Sequence, residues 1–380
     1  MSTIAGTKPF KLVIAGGGTG GHLFPGVAVA EALLELAPDA QVLFVGTAKG
    51  IEARAIPKTS FQLALIDVAG LKGQSITHRL KTALKLPASV LASRAILKSF
   101  GADAVIGVGG YASGPVLLAA TTMGLPTAVC EQNSVPGITN RILSKLVDKV
   151  YVTFGASLPW FPANKTALVG NPVRQSFRRA ANDAATNTDV VAGRVFTFGG
   201  SQGARPLNET LPAALGLLKE RGVVVSAVHQ AGKDAVDAVS AAYAAAGISA
   251  EVTPFIDNMV AAYKAADVVV CRAGATSCAE VTALGVPAIL VPFPQAADDH
   301  QTMNARDLVD QHAAIMLKQA DLTAAHLADV LQGLLTNTAA RAALADGAKQ
   351  AGKLDAAVVI ARAALNRFSS VSPASASVSS

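Results

Sequence analysis

The sequence is short of the residues that mark several common protein classes. It has three cysteines, Cys130, Cys271 and Cys278, too few and too widely spaced for a disulfide framework or a metal knuckle. No apolar run approaches the roughly 20 residues that span a bilayer. Met1–Pro9 has no hydrophobic core of the kind a secretory leader carries. Together these absences give the expectation of a cytoplasmic location. No Asp-x-Asp pair occurs, so a carboxylate-held metal on a diphosphate is not expected; no histidine cluster offers a zinc site either, and no cofactor is expected.

Acidic residues are missing between Asp67 and Asp103, where Lys72, Arg79, Lys81, Lys85, Arg94 and Lys98 alternate with Leu71, Ile76, Leu80, Leu84, Leu86, Val90, Leu91, Ile96 and Leu97. A basic, partly apolar stretch of this kind fits an anionic membrane surface. It equally fits an amphipathic helix with a cationic outer face. Only Phe100 and Tyr111 supply rings nearby, which argues against stacking on nucleic acid.

What the chain does have is glycine in tight turns. Gly16–His22 (GGGTGGH) follows the apolar run Phe10–Ala15 and leads into a helical stretch, Leu23–Leu36. Strand, glycine turn and helix in that order build a site where a ligand can approach the backbone and the helix N-terminus attracts an anion. Gly16, Gly18 and Gly21 also satisfy the dinucleotide pattern. That reading requires an acid at the tip of the second strand, and Gln41–Val45 runs instead into Gly46-Thr47-Ala48, with no carboxylate before Glu52. A triphosphate-binding loop is also excluded, because His22 stands at the lysine position.

The alternation continues. Strands are expected at Phe61–Ile66, Ala104–Val108, Thr127–Cys130, Lys149–Val152 and Ala167–Val169, with helices between them. After Gly170-Asn171-Pro172 and a polar stretch, Ala181–Asp189, the opening device returns as strand Arg194–Phe198, turn Gly199–Gly203 (GGSQG) and a helix from about Arg205 to Arg221. Further strands are expected at Val223–Val228, Glu251–Thr253, Val268–Cys271, Ala288–Val291 and Ala314–Leu317. The fold class is therefore α/β, as two doubly wound parallel-sheet halves with a cleft between their glycine-rich edges. The expected domains are 9–170, with the helix 354–368 packing back on it, and 171–353. The Ser-rich tail 369–380 reads as disordered.

Several turns carry candidate chemistry. His22, in the first turn of a helix, is disfavoured as imidazolium and suits acceptance of a hydroxyl proton. Gly107–Pro115 (GVGGYASGP) is a second glycine turn, suited to pyrophosphate or to lining an acceptor pocket. Glu131, Gln132 and Asn133 follow a strand at the ligand edge, and Arg174 falls at the domain junction. Ser201 and its neighbouring amides suit a departing diphosphate. Ala275 and Thr276 open the helix that carries Glu280, an acid placed to take both hydroxyls of a ribose. Pro292–Asn304, with Asp298, Asp299, His300, Gln301 and Asn304, is rich in groups that read sugar hydroxyls.

The stretches GGGTGGHLFPGVAVAEAL, GVGGYASGP, EQNSVPG, GNPVR, GGSQGA, CRAGATSCAE and PFPQAADDHQTMNA, in this order, resemble the MurG family of peptidoglycan N-acetylglucosaminyltransferases. The resemblance runs from about Lys11 to the last helix. It implies a GT-B fold, two Rossmann-like domains with the nucleotide bound mainly by the second. It implies UDP-N-acetylglucosamine as donor and undecaprenyl-pyrophosphoryl-MurNAc-pentapeptide as acceptor. Thr19, Gly20 and Gly21 would meet the donor, His22 would be the base near the acceptor, and Glu131 a lesser candidate. Asn133, Arg174 and Ser201 would contact the donor, the backbone of Ile256 would read uracil, Glu280 the ribose, and Gln301 the sugar hydroxyls. The resemblance also implies a peripheral place on the inner face of the cytoplasmic membrane, with 71–100 as the contacting segment, although that segment lacks the aromatic anchors common at lipid interfaces.

Two other classes fit less of the sequence. A nicotinamide-dependent oxidoreductase leaves the second glycine-rich half unexplained. A sugar-nucleotide epimerase of the same fold leaves the basic, apolar stretch without a use, and a non-catalytic sugar-binding protein leaves the leaving-group features without one.

Overall fold

The computed structural model describes residues 8–68, 76–183, 193–200 and 202–368, and the side chains of all of these except 76–85. Leu71–Ser75, the tail beyond Phe368 and Ser201 thus lie outside the described residues, as do the side chains of Lys72, Arg79, Lys81 and Lys85. The chain divides into two units, one running to Gln175 and resuming at Asp355, the other Ser176–Leu354.

The first unit alternates as β1 (Lys11–Ala15), α1 (Gly20–Leu36), β2 (Gln41–Gly46), α2 (Glu52–Ala55), β3 (Gln62–Leu65), α3 (Ile76–Phe100), β4 (Ala104–Gly107), α4 (Ser113–Thr122), β5 (Thr127–Glu131), α5 (Ile138–Leu143), β6 (Lys149–Val152) and β7 (Thr166–Leu168). Its strands form one parallel sheet in the order β3-β2-β1-β4-β5-β6-β7. The second unit follows with α6 (Gln175–Asn182), β8 (Arg194–Phe198), α7 (Arg205–Glu220), β9 (Ser226–Gln230), α8 (Val236–Ala245), β10 (Ser249–Thr253), α9 (Met259–Lys264), β11 (Val268–Cys271), α10 (Ala275–Leu284), β12 (Ala288–Leu290), α11 (His300–Asp310), β13 (Ile315–Met316), α12 (Ala324–Thr336) and α13 (Thr338–Ala351). Its sheet is also parallel, in the order β10-β9-β8-β11-β12-β13. The last helix, α14 (Ala356–Leu365), belongs to the first unit and packs on α1.

The order of each sheet follows from its sequence. Side chains alternate across a strand, so a central strand buried on both faces must be apolar throughout. In β1, Leu12 and Ile14 enter the core shared with α1 and α14, while Val13 and Ala15 enter the core on the other face with α3 and α4. Truncating Ile14 to alanine is the kind of change that costs about 2–5 kcal/mol.

An aspartate placed just before a strand fixes the register in both units. Asp103 Oδ2 accepts the Lys11 amide while the Asp103 amide donates to the Lys11 carbonyl, tying β4 to the start of β1. Asp267 does the same for β11 with Arg194 of β8, and Asp148 for β6 with Thr127 of β5. A shift of one residue would lose these charge-assisted bonds and turn every side chain to the wrong face.

Three local expectations are corrected. The helix after the first glycine turn begins at Gly20, not Leu23, because the Thr19 carbonyl already accepts the amides of His22 and Leu23. Of the expected strand Val223–Val228 only Ser226–Val228 pair, in a strand that runs on to Gln230: Val223 N donates to Leu218 O and closes α7, Val224 is 75% exposed, and pairing begins at Ser226 opposite Arg194. Ala181 and Asn182 complete α6, which is held by one apolar side chain, Phe177, at 5.9 Å from the Tyr263 ring. The linker 184–192 lies outside the described residues.

β9 ends in polar residues that are buried all the same. His229 Nε2 donates to Asn208 Oδ1 and its Nδ1 accepts from the Tyr243 hydroxyl, each at 3.0 Å. The Asn208 amide nitrogen is committed to Ala231 O. Burial lowers the His229 pKa from 6.5 to about 4. The unfolded chain therefore binds the extra proton first, and stability declines as pH falls from the unfolded value towards the folded one, by about 3 kcal/mol in all. Urea melts of the wild type should lose about that much more between those pH values than melts of His229→Gln. Parallel curves would show that the ring is not held neutral.

Candidate functional site

In the first unit the carboxyl ends of β1, β2, β4 and β5 converge. Gly16, Gly17 and Gly18 all have positive φ, which lets the turn reverse sharply, and Gly17 N donates to Gly109 O at 3.2 Å. The turn is held from below by Glu52, which is 1% exposed. One carboxylate oxygen accepts Gly18 N at 2.7 Å and the other accepts Thr47 N at 2.8 Å and the Thr47 hydroxyl at 3.1 Å. A Cβ on Gly17, Gly46 or Gly50 would run into this carboxyl. Glu52 thus occupies the region that the dinucleotide reading assigns to a ribose-binding acid, and spends both oxygens on the protein's own backbone.

Thr19 precedes α1, and Gly20, Gly21 and His22 form its first turn, with the Gly20 and Gly21 amides at the helix N-terminus and the His22 amide on Thr19 O. The His22 ring lies against Gly109, where a Cβ would sit 2.7 Å from Nδ1. Its Nδ1 is 3.0 Å from Gln132 Oε1. The second glycine turn is fixed by Ser113, whose hydroxyl donates to Ala15 O at 2.7 Å and accepts Gly109 N at 3.1 Å. Gly109 and Gly110 of GVGGYASGP are therefore used for close contact with His22 and with the first turn.

Glu131 is turned inward. Oε1 accepts Asn133 N at 2.9 Å and Asn133 Nδ2 at 3.4 Å, and Oε2 accepts Gly137 N at 3.1 Å and Asn140 Nδ2 at 2.9 Å. At 2% exposed, this carboxylate organises the loop that presents Asn133 and starts α5. Arg174 stacks its guanidinium over the Phe24 ring at 5.0 Å, two residues beyond His22.

In the second unit the turn after β8 is closed by Gly203 N on Gly200 O at 2.9 Å and by Gln230 Nε2 on Gly200 O at 2.8 Å. After β11, Gly274 caps α10, and Ala275 and Thr276 supply its first amides. Thr276 Oγ1 is buried with no hydrogen-bond partner among the described residues, an uncommon state for a hydroxyl. Glu280, 6% exposed, accepts from the buried Tyr263 hydroxyl at 3.3 Å. Ile256 lies in the connection between β10 and α9.

The loop after β12 is braced by Arg272. Its guanidinium donates to Val291 O, Pro292 O and Gln319 Oε1 and stacks on Phe293. Burial lowers its pKa. Asp298 and Asp299 both adopt left-handed backbone conformations, and Asn304 is fully buried with Nδ2 on Ala273 O. Gln301 accepts Phe293 N through Oε1 at 2.9 Å, which leaves its two amide protons for a ligand.

Sequence reading gave Glu52 and Arg272 no role, because their main partners are backbone atoms of other turns. It grouped Gln132 with its neighbours without giving it a partner. Burial pushes the Cys130 and Cys278 thiols up to about 12 and Cys271 well above its usual value, so none serves as a thiolate nucleophile. Among the described residues no three His, Cys, Asp or Glu side chains gather as metal ligands would.

Comparison with known proteins gives concordant matches. Residues 12–152 match the glycosyltransferase family 28 N-terminal domain and 194–360 its C-terminal domain. A Syntrophus aciditrophicus protein is 48% identical over 86% of this chain and 90% of its own length. A Geobacter sulfurreducens protein is 45% identical over 92% and 96%. Both are named UDP-N-acetylglucosamine–N-acetylmuramyl-(pentapeptide) pyrophosphoryl-undecaprenol N-acetylglucosamine transferase. The crystal structure of Acinetobacter baumannii MurG superposes with a TM-score of 0.77 at 32% identity, covering 94% of this chain and all of that one.

Proposed function

We propose a mechanism from the premise that this chain belongs to the MurG family of glycosyltransferases. It transfers N-acetylglucosamine from UDP-N-acetylglucosamine to undecaprenyl-pyrophosphoryl-MurNAc-pentapeptide, the lipid I to lipid II step of peptidoglycan synthesis. The observation that carries the assignment of roles is the His22 ring, seated in a helix N-terminal turn with one nitrogen held by Gln132.

His22 accepts the proton of the muramyl 4-hydroxyl. The oxygen attacks C1 of the donor sugar from the face opposite the diphosphate, the C1–O bond breaks, and UDP leaves with the electron pair. Inversion gives a β-1,4 linkage. The charge that grows on the diphosphate meets the amides of Ala275 and Thr276 and the Thr276 hydroxyl, with Ser201 and its turn in the same role. Glu280 takes the ribose hydroxyls, the Ile256 backbone the uracil, and the Gln301 amide protons the sugar hydroxyls. Thr19, Gly20, Gly21, Asn133 and Arg174 complete the donor contacts. Glu131 acts by holding the Asn133 loop, since its oxygens already accept four donors.

Isotope-labelled donor incubated with the lipid-linked acceptor should yield a labelled lipid whose new linkage is β by its anomeric coupling constant. An α linkage, or label released as free sugar, would refute single displacement onto this acceptor.

The membrane is reached through the first unit. No helix among the described residues is long and apolar enough to cross it. On α5 and its extension Ile138, Ile142 and Leu146, spaced by four, are 65%, 58% and 52% exposed. Arg141 stacks over the half-exposed Trp160 at 4.3 Å, and Lys145 follows one turn after Arg141. Leu86 and Leu91 of α3 are exposed as well. This supplies the aromatic anchor that 71–100 lacks. Vesicles with anionic lipid should retain the wild type at low salt and release Ile142→Asp. Equal retention of both would place the contact elsewhere.

A further inference from the structure

We propose that Gln132 is a positioning residue that holds the His22 imidazole in the tautomer with its proton on Nδ1. The inference deepens the reading of His22 as the base and rests on it.

Gln132 is 1% exposed, and both the nitrogen and the oxygen of its amide are engaged within the protein. Its Nε2 donates to Cys130 O at 3.2 Å, which turns Oε1 towards His22 Nδ1 at 3.0 Å. An amide oxygen accepts and cannot donate. The proton must therefore sit on Nδ1, and Nε2 carries the lone pair. The ring is backed by Gly109, whose amide donates to Ser113 Oγ and whose carbonyl accepts Gly17 N. Three elements thus set one ring: α1 carries it, the β4 turn supports it, and the end of β5 chooses its tautomer. This is the base-and-orienter arrangement of hydrolytic triads, with a carboxamide in the orienting place.

The choice of an amide over a carboxylate has a consequence. A carboxylate against Nδ1 would stabilise the imidazolium and raise its pKa, whereas a neutral amide fixes the tautomer with little pull on the charge. The titratable groups on the elements around the ring are Glu52 of α2, Tyr111 after the β4 turn, Glu131 at the end of β5 and Arg174. Glu52 and Glu131 are engaged by backbone and amide donors, Tyr111 is exposed, and Arg174 lies over Phe24. Gln132 is the group that meets Nδ1.

The test combines nitrogen NMR of the full chain with the pH dependence of turnover. In the wild type the His22 ring should report protonated Nδ1 and unprotonated Nε2 above its pKa, and Gln132→Ala should lose that preference. With lipid-linked acceptor, Gln132→Ala should lower kcat about 10- to 100-fold with little change in donor KM, a smaller loss than removal of the base. The near-isosteric Gln132→Glu should move the acidic limb of kcat/KM upward by about one pH unit or more. A wild-type ring protonated on Nε2, or an acidic limb unmoved in Gln132→Glu, would overturn the proposal and leave the base reading intact. Undiminished turnover in His22→Ala would defeat the base reading, and the positioning role with it.

Discussion

Replacing His22 by alanine lowers kcat about 10²- to 10⁴-fold and leaves donor affinity near its wild-type value. The size is what general-base catalysis by one side chain supplies, about 3–5 kcal/mol of barrier. The selectivity follows from place. His22 projects from α1 in the first unit, while the groups assigned to uracil, ribose and diphosphate are on β10–α9, α10 and the β8 turn of the second. Removing the ring takes away the proton acceptor and leaves those groups untouched. Steady-state turnover with lipid-linked acceptor, alongside titration of UDP by calorimetry, checks both halves. Wild-type turnover in this variant would remove His22 from the chemistry.

Glu131→Gln destabilises the first unit by about 2–4 kcal/mol and keeps the shape of the pH–rate profile. A glutamine can replace one oxygen as acceptor, but its NH₂ then faces either the Asn133 donors or Gly137 N and Asn140 Nδ2, and buried donors are left unpaired at a cost of about 1–3 kcal/mol each. The unfolding midpoint of that unit should fall by roughly 5–10 °C. Turnover falls too, because the loop carrying Asn133 loosens. The opposite pattern, unchanged stability with kcat reduced more than about 100-fold and the acidic limb lost, would make Glu131 the base.

The glycine turns and the β-branched strands could be read directly, because a strand buried on both faces has no alternative to a continuous apolar run. Val268–Cys271 and Arg194–Phe198 fall where the pattern puts them. The pattern misleads where apolar residues serve a connection. The three valines from Val223 look more strand-like than His229-Gln230, yet they lie between the end of α7 and the ladder. His229 is admitted to the sheet by Asn208 and Tyr243, which come from the helices on either side of β9 in sequence, α7 and α8.

The site divides in the same way. Residues within a turn motif were found, since their spacing is local. Glu52, Gln132 and Arg272 act mainly on backbone amides and carbonyls of other segments, or on a single ring. No periodicity announces such a contact. Glycines 17, 46 and 50 are the one trace that Glu52 leaves in the sequence, each small because a carboxyl lies beside it.

The central claim is that donor breakdown is coupled to the lipid-linked acceptor. UDP release from UDP-N-acetylglucosamine, followed continuously with and without undecaprenyl-pyrophosphoryl-MurNAc-pentapeptide, tests it most directly. Release should depend on the acceptor and match, mole for mole, the sugar appearing on the lipid. Equal release without acceptor would contradict the transfer and make the chain a donor hydrolase or epimerase.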